Sequence, residues 1–339
     1  MTEPPVVQDI KPLLEKIRKA EDGINSVILG KETLVREFIT GLLARGHILL
    51  EGLPGLGKTQ MVRTLAMLCD LVTNRIQFTP DLMPLDITGS YILSDVEGKR
   101  DYVFHAGPLF GNLILADEIN RASPKTQSAM LEAMQERRVT VLGHTHVLPE
   151  PFLVLATQNP IELEGTYPLP EAQLDRFLFK LMVGDVPAAV LARIVMERGN
   201  GDLPNLTPVI NKAELLAAMG MVSRVLLSQQ VASYIARLVK STHRAEDGVT
   251  GRLVKYGASP RAALSISMAS RARAFLDGRV TVGFEDVKAV ASATLRHRII
   301  LDYSARLEGV STDDVIQKVL TSVPEIERPV PPTVVERLT

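Results

Sequence analysis

The first residues able to do chemistry are Lys58 and Thr59, which close the run EGLPGLGKTQ over residues 51–60. Gly52, Gly55 and Gly57 allow backbone conformations closed to residues with a Cβ, so successive amides can converge on phosphate oxygens. Lys58 then supplies a point charge for β and γ phosphates, and the Thr59 hydroxyl can ligate Mg²⁺. The stretch Gly52, Pro54, Gly55, Leu56, Gly57, Lys58, Thr59 and Gln60 is the expected nucleotide cradle. Such a loop serves kinases, switches and motors alike.

Two acids narrow the choice. In LILADEINRAS the apolar run Leu113 to Ala116 reads as a buried strand, with Asp117 and Glu118 emerging at its C-terminal end. Asp117 is suited to hold a Mg²⁺ shell, and Glu118 to orient and polarise an attacking water. A kinase would shield its phosphoryl group from water instead. The same acids could simply cap the helix expected near Ser123-Pro124, but a phosphate loop upstream favours hydrolysis.

Three weaker signals follow. Gln158 and Asn159 end the apolar run FLVLATQNP and would stand beside Asp117 if the two strands are neighbours. Arg176, in LPEAQLDRF, is either a surface charge or a finger reaching into another subunit's nucleotide site. Arg261 falls in the first turn of a helix opened by GASPRA, where a cation is unfavourable, so a bound anion or a nearby carboxylate is expected.

Elements able to position these residues are legible in the pattern. HILLEG, NRIQFT, NLILADE, FLVLATQN and FLFKLMV are short apolar runs alternating with helical stretches, which predicts a parallel five-stranded sheet with helices on both faces. Ile10, Leu13, Leu14 and Ile17 predict an amphipathic helix ahead of it. The expected division is an α/β core over 1–188, a Gly/Pro-rich linker over 189–207 and a smaller α-helical domain over 208–339. Residues 89–107 and 138–149 read as β-hairpins inserted into the core, turning at Glu97-Gly98 and near Gly143. Such insertions decorate a surface or touch a partner.

Composition excludes more than it identifies. With 38 basic and 39 acidic residues, bulk charge favours neither nucleic acid nor membrane. The one cysteine, Cys69, cannot form an internal disulfide and fits a reducing compartment. No apolar run reaches membrane-spanning length, and the start of the chain lacks a signal peptide's layout, so a soluble cytoplasmic protein is expected. The absence of Trp argues against base-stacking platforms. His144 and His146 alternate with Thr145 on a hairpin with no third ligand nearby, which favours a structural use over metal binding. Met130 and Met134 read as core.

The ordered set GLPGLGKT, LILADEINRA, ATQNP, LPEAQLDRF and GASPRA resembles the MoxR family of AAA+ ATPases from about residue 10 to 300, including LRHR at 295–298. The resemblance implies an AAA+ P-loop fold with a C-terminal helical lid and the cofactors ATP and Mg²⁺. It implies that Lys58 and Thr59 are the Walker A pair and that Asp117 and Glu118 are the Walker B pair. Asn159 matches the first sensor, Arg176 the arginine finger and Arg261 the second sensor, while Ile28 and Gly30 would lie beside the adenine. It further implies a homo-oligomeric ring, usually hexameric, chaperone-like work on a protein client, and a von Willebrand A domain partner in maturing or inserting metal cofactors. Two other readings compete: a nucleic-acid motor or loader, disfavoured by charge and scarce aromatics, and a nucleotide-switched scaffold with little turnover, disfavoured by the intact Asp117-Glu118 pair.

Overall fold

In a computed structural model of the chain, the described residues are 7–52, 57–96, 99–160, 165–198, 204, 206–244 and 248–326. The chain opens with α1 (Val7–Val27) and α2 (Glu32–Leu43). Ile10, Leu14, Ile17, Ala20 and Ile24 are buried along one face of α1, as their three- and four-residue spacing demands. The α/β region then runs β1 (Ile48–Gly52), α3 (Lys58–Leu68), β2 (Thr73–Gln77), α4 (Pro84–Thr88), β3 (Gly89–Val96), β4 (Lys99–Ala106), β5 (Leu113–Asp117), α5 (Pro124–Glu136), β6 (Arg138–Val141), β7 (His144–Val147), β8 (Leu153–Gln158), α6 (Glu171–Leu174) and β9 (Phe179–Val183).

Five strands form one parallel sheet in the order β2-β5-β8-β1-β9. Its inner strands are buried on both faces, which explains their unbroken apolar sequences. Strand alternation divides them between two cores. Ile48, Leu50, Leu113, Leu115, Leu153 and Leu155 face one, while Leu49, Ile114, Ala116, Val154 and Ala156 face the other, with Met130 and Met134 of α5. Because all five strands are parallel and in register, the ends of β1, β2, β5 and β8 share one edge. The start of β9 lies level with Ile48, on the opposite edge.

Both inserted hairpins are present. β3 pairs with β4, setting Tyr91 opposite Phe104 and Leu93 opposite Tyr102; the turn at residues 97–98 lies outside the described residues. β6 pairs with β7 through Leu142 and Gly143, whose φ values of 49° and 82° suit a tight two-residue connection. The hairpins dock on one another. The Phe104 ring stacks on His146 at 3.7 Å between centroids, and the Tyr91 hydroxyl lies 3.2 Å from His146 Nε2. The histidine pair therefore has a packing role, and among the described residues no group of three His, Cys, Asp or Glu could hold a metal ion.

Residues 188–198, within and beside the stretch expected to be linker, are helical as α7 (Ala188–Arg198). Beyond them come α8 (Lys212–Arg224), α9 (Gln229–Ser241), β10 (Val254–Tyr256), α10 (Pro260–Leu276), α11 (Phe284–Leu295), β11 (Ile300–Leu301), α12 (Tyr303–Leu307) and α13 (Thr312–Ser322). Reciprocal bonds between Asn211 and Glu214 cap the start of α8. The apolar core on the α1–α3 side of the sheet continues through Leu215, Tyr234, Ile266, Val287 and Ile316 of these helices. No described helix is long and apolar enough to cross a membrane.

Candidate active site

A cleft of about 510 Å³ opens at the C-terminal edge of the sheet, lined by Gly57, Lys58, Thr59, Gln60, Asp117, Glu118 and Asn159 among others. Sequentially distant residues meet there because β1, β8 and β5 are consecutive neighbours, so the segments leaving their ends converge. Gly57 has φ of 82° and ends the loop, sending the amides at the start of α3 toward the cleft. Pro54, Gly55 and Leu56 lie outside the described residues.

Gly52 is needed for a reason other than phosphate contact. A Cβ there would sit 2.6 Å from the Val183 carbonyl oxygen, at the end of the adjoining strand β9. Ile28 is buried, and its Cδ1 would lie 3.5 Å from a Cβ on Gly57, so it stands directly behind the loop. Gly30 has φ of 70° and backs onto Val190 of α7.

The acids are held by partners the sequence did not announce. Thr157 Oγ1 donates to Asp117 Oδ1 at 2.7 Å and accepts the Glu118 amide at 2.9 Å. That second bond helps hold Glu118 at φ 57°, a left-handed conformation unfavourable outside glycine. Arg75 of β2 donates through Nε and Nη2 to Asp117 Oδ2 at 3.1 and 2.7 Å. Gln77 Nε2 and Arg121 Nη1 both donate to Glu118 Oε2, at 2.9 and 3.0 Å. Arg63 also lines the cleft. A signal for Thr157, Arg75 and Gln77 existed in strand parity: alternate residues at the ends of β8 and β2 face the same site as Asp117. It could be used only once strand order was known. Gln158 does not line the cleft, whereas Asn159 does.

Lys58 Nζ donates to the Gly52 carbonyl at 2.8 Å. Burial lowers its pKa, and the negative charges of Asp117, Glu118 and Glu51 oppose that fall. The donor set fits a Mg²⁺–nucleotide complex. Thr59 and Asp117 offer the hard oxygens Mg²⁺ prefers, and Lys58, Arg63 and Arg75 line the same space with cations suited to a polyphosphate. The cleft volume also falls within the roughly 300–1,000 Å³ usual for small-molecule sites.

Arg176 and Arg261 are elsewhere. Arg176 follows α6 and precedes β9, at the N-terminal edge of the sheet, and its Nη1 donates to the Leu131 carbonyl of α5 at 2.9 Å. A five-residue strand separates the two edges by about 15 Å. Arg261, half exposed at the start of α10, pairs with Asp175 at 3.4 Å, so a carboxylate offsets the unfavourable helix-terminal charge. The same Asp175 accepts a bond from Ser259 Oγ at 3.1 Å. The two arginines thus flank one loop, away from the cleft of their own chain.

Comparison with known proteins identifies the family and the fold. A model of the ATPase family associated with various cellular activities (AAA) matches residues 47–179, and an AAA lid domain model matches residues 248–319. The Chaperone MoxR1 of Mycobacterium tuberculosis is 42% identical over 310 residues, covering 91% of this chain and 81% of that protein. Protein MoxR of Paracoccus denitrificans is 31% identical over 323 residues, covering 87% of this chain and 92% of its own. A crystal structure from Cytophaga hutchinsonii, described as that of a candidate ATPase, superposes with a TM-score of 0.87 at 40% identity, covering 95% of this chain and 98% of the other.

Proposed function

The chain belongs to the MoxR family of AAA+ ATPases, and on that premise we propose that it hydrolyses ATP with Mg²⁺ as one subunit of a ring that remodels protein clients. The observation that carries this reading is the division of polar machinery between two edges of one sheet. Lys58, Thr59, Asp117, Glu118 and Asn159 share the cleft, while Arg176 and Arg261 stand at the opposite edge.

Each residue then has a distinct task. Lys58 binds the β and γ phosphates, with the amides of the loop and the start of α3 around them. Thr59 and Asp117 are the residues that would hold Mg²⁺, which would supply charge neutralisation at the β and γ phosphates. Glu118 orients and polarises the attacking water, and Asn159 positions that same water. Ile28 and Gly30 border the adenine. Arg176 and Arg261, too far from their own cleft, stabilise transition-state charge in a neighbour's site. A surface bearing the cleft and another bearing the arginines make a head-to-tail contact, which closes into a ring if the rotation allows.

Resemblance to the family supports the finer parts of the proposal: a hexameric ring, a two-domain division with the lid after residue 207, a cytoplasmic setting, and a von Willebrand A domain partner in metal-cofactor insertion. The deciding experiment sets Lys58→Ala beside Glu118→Gln. Titration calorimetry should show affinity lost in the first and kept in the second, with phosphate release abolished in both. A Glu118→Gln protein that hydrolyses ATP at the normal rate would overturn the assignment of the water-activating group.

A further inference from the structure

The loop that bears Arg176 is gripped by the segment that follows α11. Arg298 has a side chain only 2% exposed, and all three of its guanidinium nitrogens are engaged. Nε donates to Asp175 Oδ1 at 2.7 Å. Nη2 donates to the Asp175 carbonyl at 3.1 Å, the Phe177 carbonyl at 2.6 Å and Ser265 Oγ at 3.1 Å. Nη1 donates to the carbonyls of Leu178, at 3.2 Å, and Thr294. Four of these six acceptors lie within two residues of Arg176, and the other two belong to α10 and α11. The neighbours of Arg298 reach the same stretch. His297 Nε2 lies 3.0 Å from the Phe177 carbonyl, and Arg296 donates to the Lys180 carbonyl at 2.8 Å.

Burying a guanidinium is costly unless every donor is used. A planar fork that bonds Asp175, Phe177 and Leu178 of one loop also fixes that loop's position far more tightly than a point charge could. General cohesion would be served as well by apolar contact. Instead, the polar grip is concentrated on the few residues around the candidate finger. Asp175 completes the link, because its carboxylate is shared between Arg298, Arg261 and Ser259.

We propose that Arg298 is a positioning residue: it sets the Asp175–Arg176 loop from the helical domain, and so governs hydrolysis in the adjoining subunit rather than in its own. This rests on the reading that Arg176 acts in trans. A shift of α10 and α11 relative to the sheet would move Arg176 and Arg261 together, since both are tied to Asp175, by the chain in one case and by an ion pair in the other.

The test is a complementation assay on full-length protein. Arg298→Lys keeps the charge and loses the fork. It should bind ATP within about twofold of the parent, because nothing lining the cleft has changed, yet its turnover should fall at least tenfold. Mixed with Glu118→Gln, it should regain activity, since a cleft from the Arg298→Lys subunit then meets an intact loop from its neighbour. Random assortment makes roughly a quarter of such interfaces competent. Mixed with Arg176→Ala, it should stay inactive, because both lesions lie on the same side of the interface. The reverse pattern, or a loss of ATP affinity in Arg298→Lys, would overturn the proposal. Asp175→Asn undergoes the same assay, so misfolding of one variant, read by thermal melting, leaves the other to decide. An Arg176→Ala and Glu118→Gln mixture is the control. Its failure counts against action in trans, while the affinity measurement still judges Arg298.

Discussion

The Thr157 hydroxyl holds Asp117 on one side and Glu118 on the other: it donates to the carboxylate at 2.7 Å and accepts the next residue's amide at 2.9 Å. One small side chain at the end of β8 therefore helps fix the Asp117 carboxylate at the end of β5 and the backbone of Glu118 just beyond it. A hydroxyl can do this because it is at once a donor and an acceptor. Replacing Thr157 with Val keeps the shape and removes both bonds. Turnover should fall roughly 10- to 100-fold, the range seen when groups orienting metal ligands are lost, with little change in ATP affinity. Thr157→Ser should restore most of the rate. Phosphate release at saturating ATP, alongside calorimetric titration, checks this; an unimpaired Thr157→Val would make the hydroxyl dispensable.

Gly52→Ala should destabilise the protein and disturb nucleotide binding together. The new methyl would stand 2.6 Å from the Val183 carbonyl oxygen, and backbone on both sides leaves little freedom to retreat. Overpacking of this kind costs about 1–3 kcal/mol. A melting temperature equal to that of the parent would show that β1 and β9 can separate at no cost.

The exposed side of the β3–β4 hairpin should matter for partners and not for basal hydrolysis. Leu93 and Tyr102 face each other across the strands at 51% and 67% exposure, beyond the Tyr91–Phe104 pair that docks on His146. Changing Leu93 and Tyr102 to Ser should alter stability by no more than about 0.5 kcal/mol per site and leave the unstimulated ATPase rate intact. Stimulation by a protein client, or by the von Willebrand A domain partner proposed above, should weaken. Stimulation equal to the parent's would reduce this surface to decoration.

Acid should unfold the protein partly through His47. Its Nδ1 accepts the Val154 amide and its Nε2 reaches the Met134 carbonyl, each at 3.0 Å, which leaves the ring neutral. Burial pushes its pKa from 6.5 down to about 4. The unfolded chain therefore binds a proton between those values that the folded chain refuses. Stability is complete above pH 6.5 and declines as pH falls toward 4, by about 1.4 kcal/mol per pH unit and roughly 3 kcal/mol in all. His297, also lowered by burial, adds to the same slope. Urea midpoints between pH 7 and 4.5 should fall less steeply in His47→Gln; an unchanged slope would mean that His47 is already charged in the folded state.

The sequence by itself determined the elements and the local chemistry. Short unbroken apolar runs that alternate with helical stretches read as strands buried on both faces, so the parallel sheet and its covering helices followed from Leu113 to Ala116 and their counterparts. The loop ending in Lys58 and Thr59 was legible because phosphate binding needs residue types at fixed short spacing. Tertiary structure alone decided how distant segments combine. Thr157, Arg75 and Gln77 became part of the site only because β8 and β2 flank β5, and no local pattern states strand order. Gly52 looked like a phosphate-loop glycine, yet its constraint comes from Val183, far along the chain. Arg261 showed a missing counter-charge that its helix could not supply, and the fold provided Asp175. Arg298 stood in the LRHR segment at 295–298 that contributes to the family resemblance, but nothing local gave it a role. Its role arises from burial against the loop of Arg176, and burial is a property of the assembled chain: side chains distant in sequence exclude water from one another only after the sheet and helices have packed.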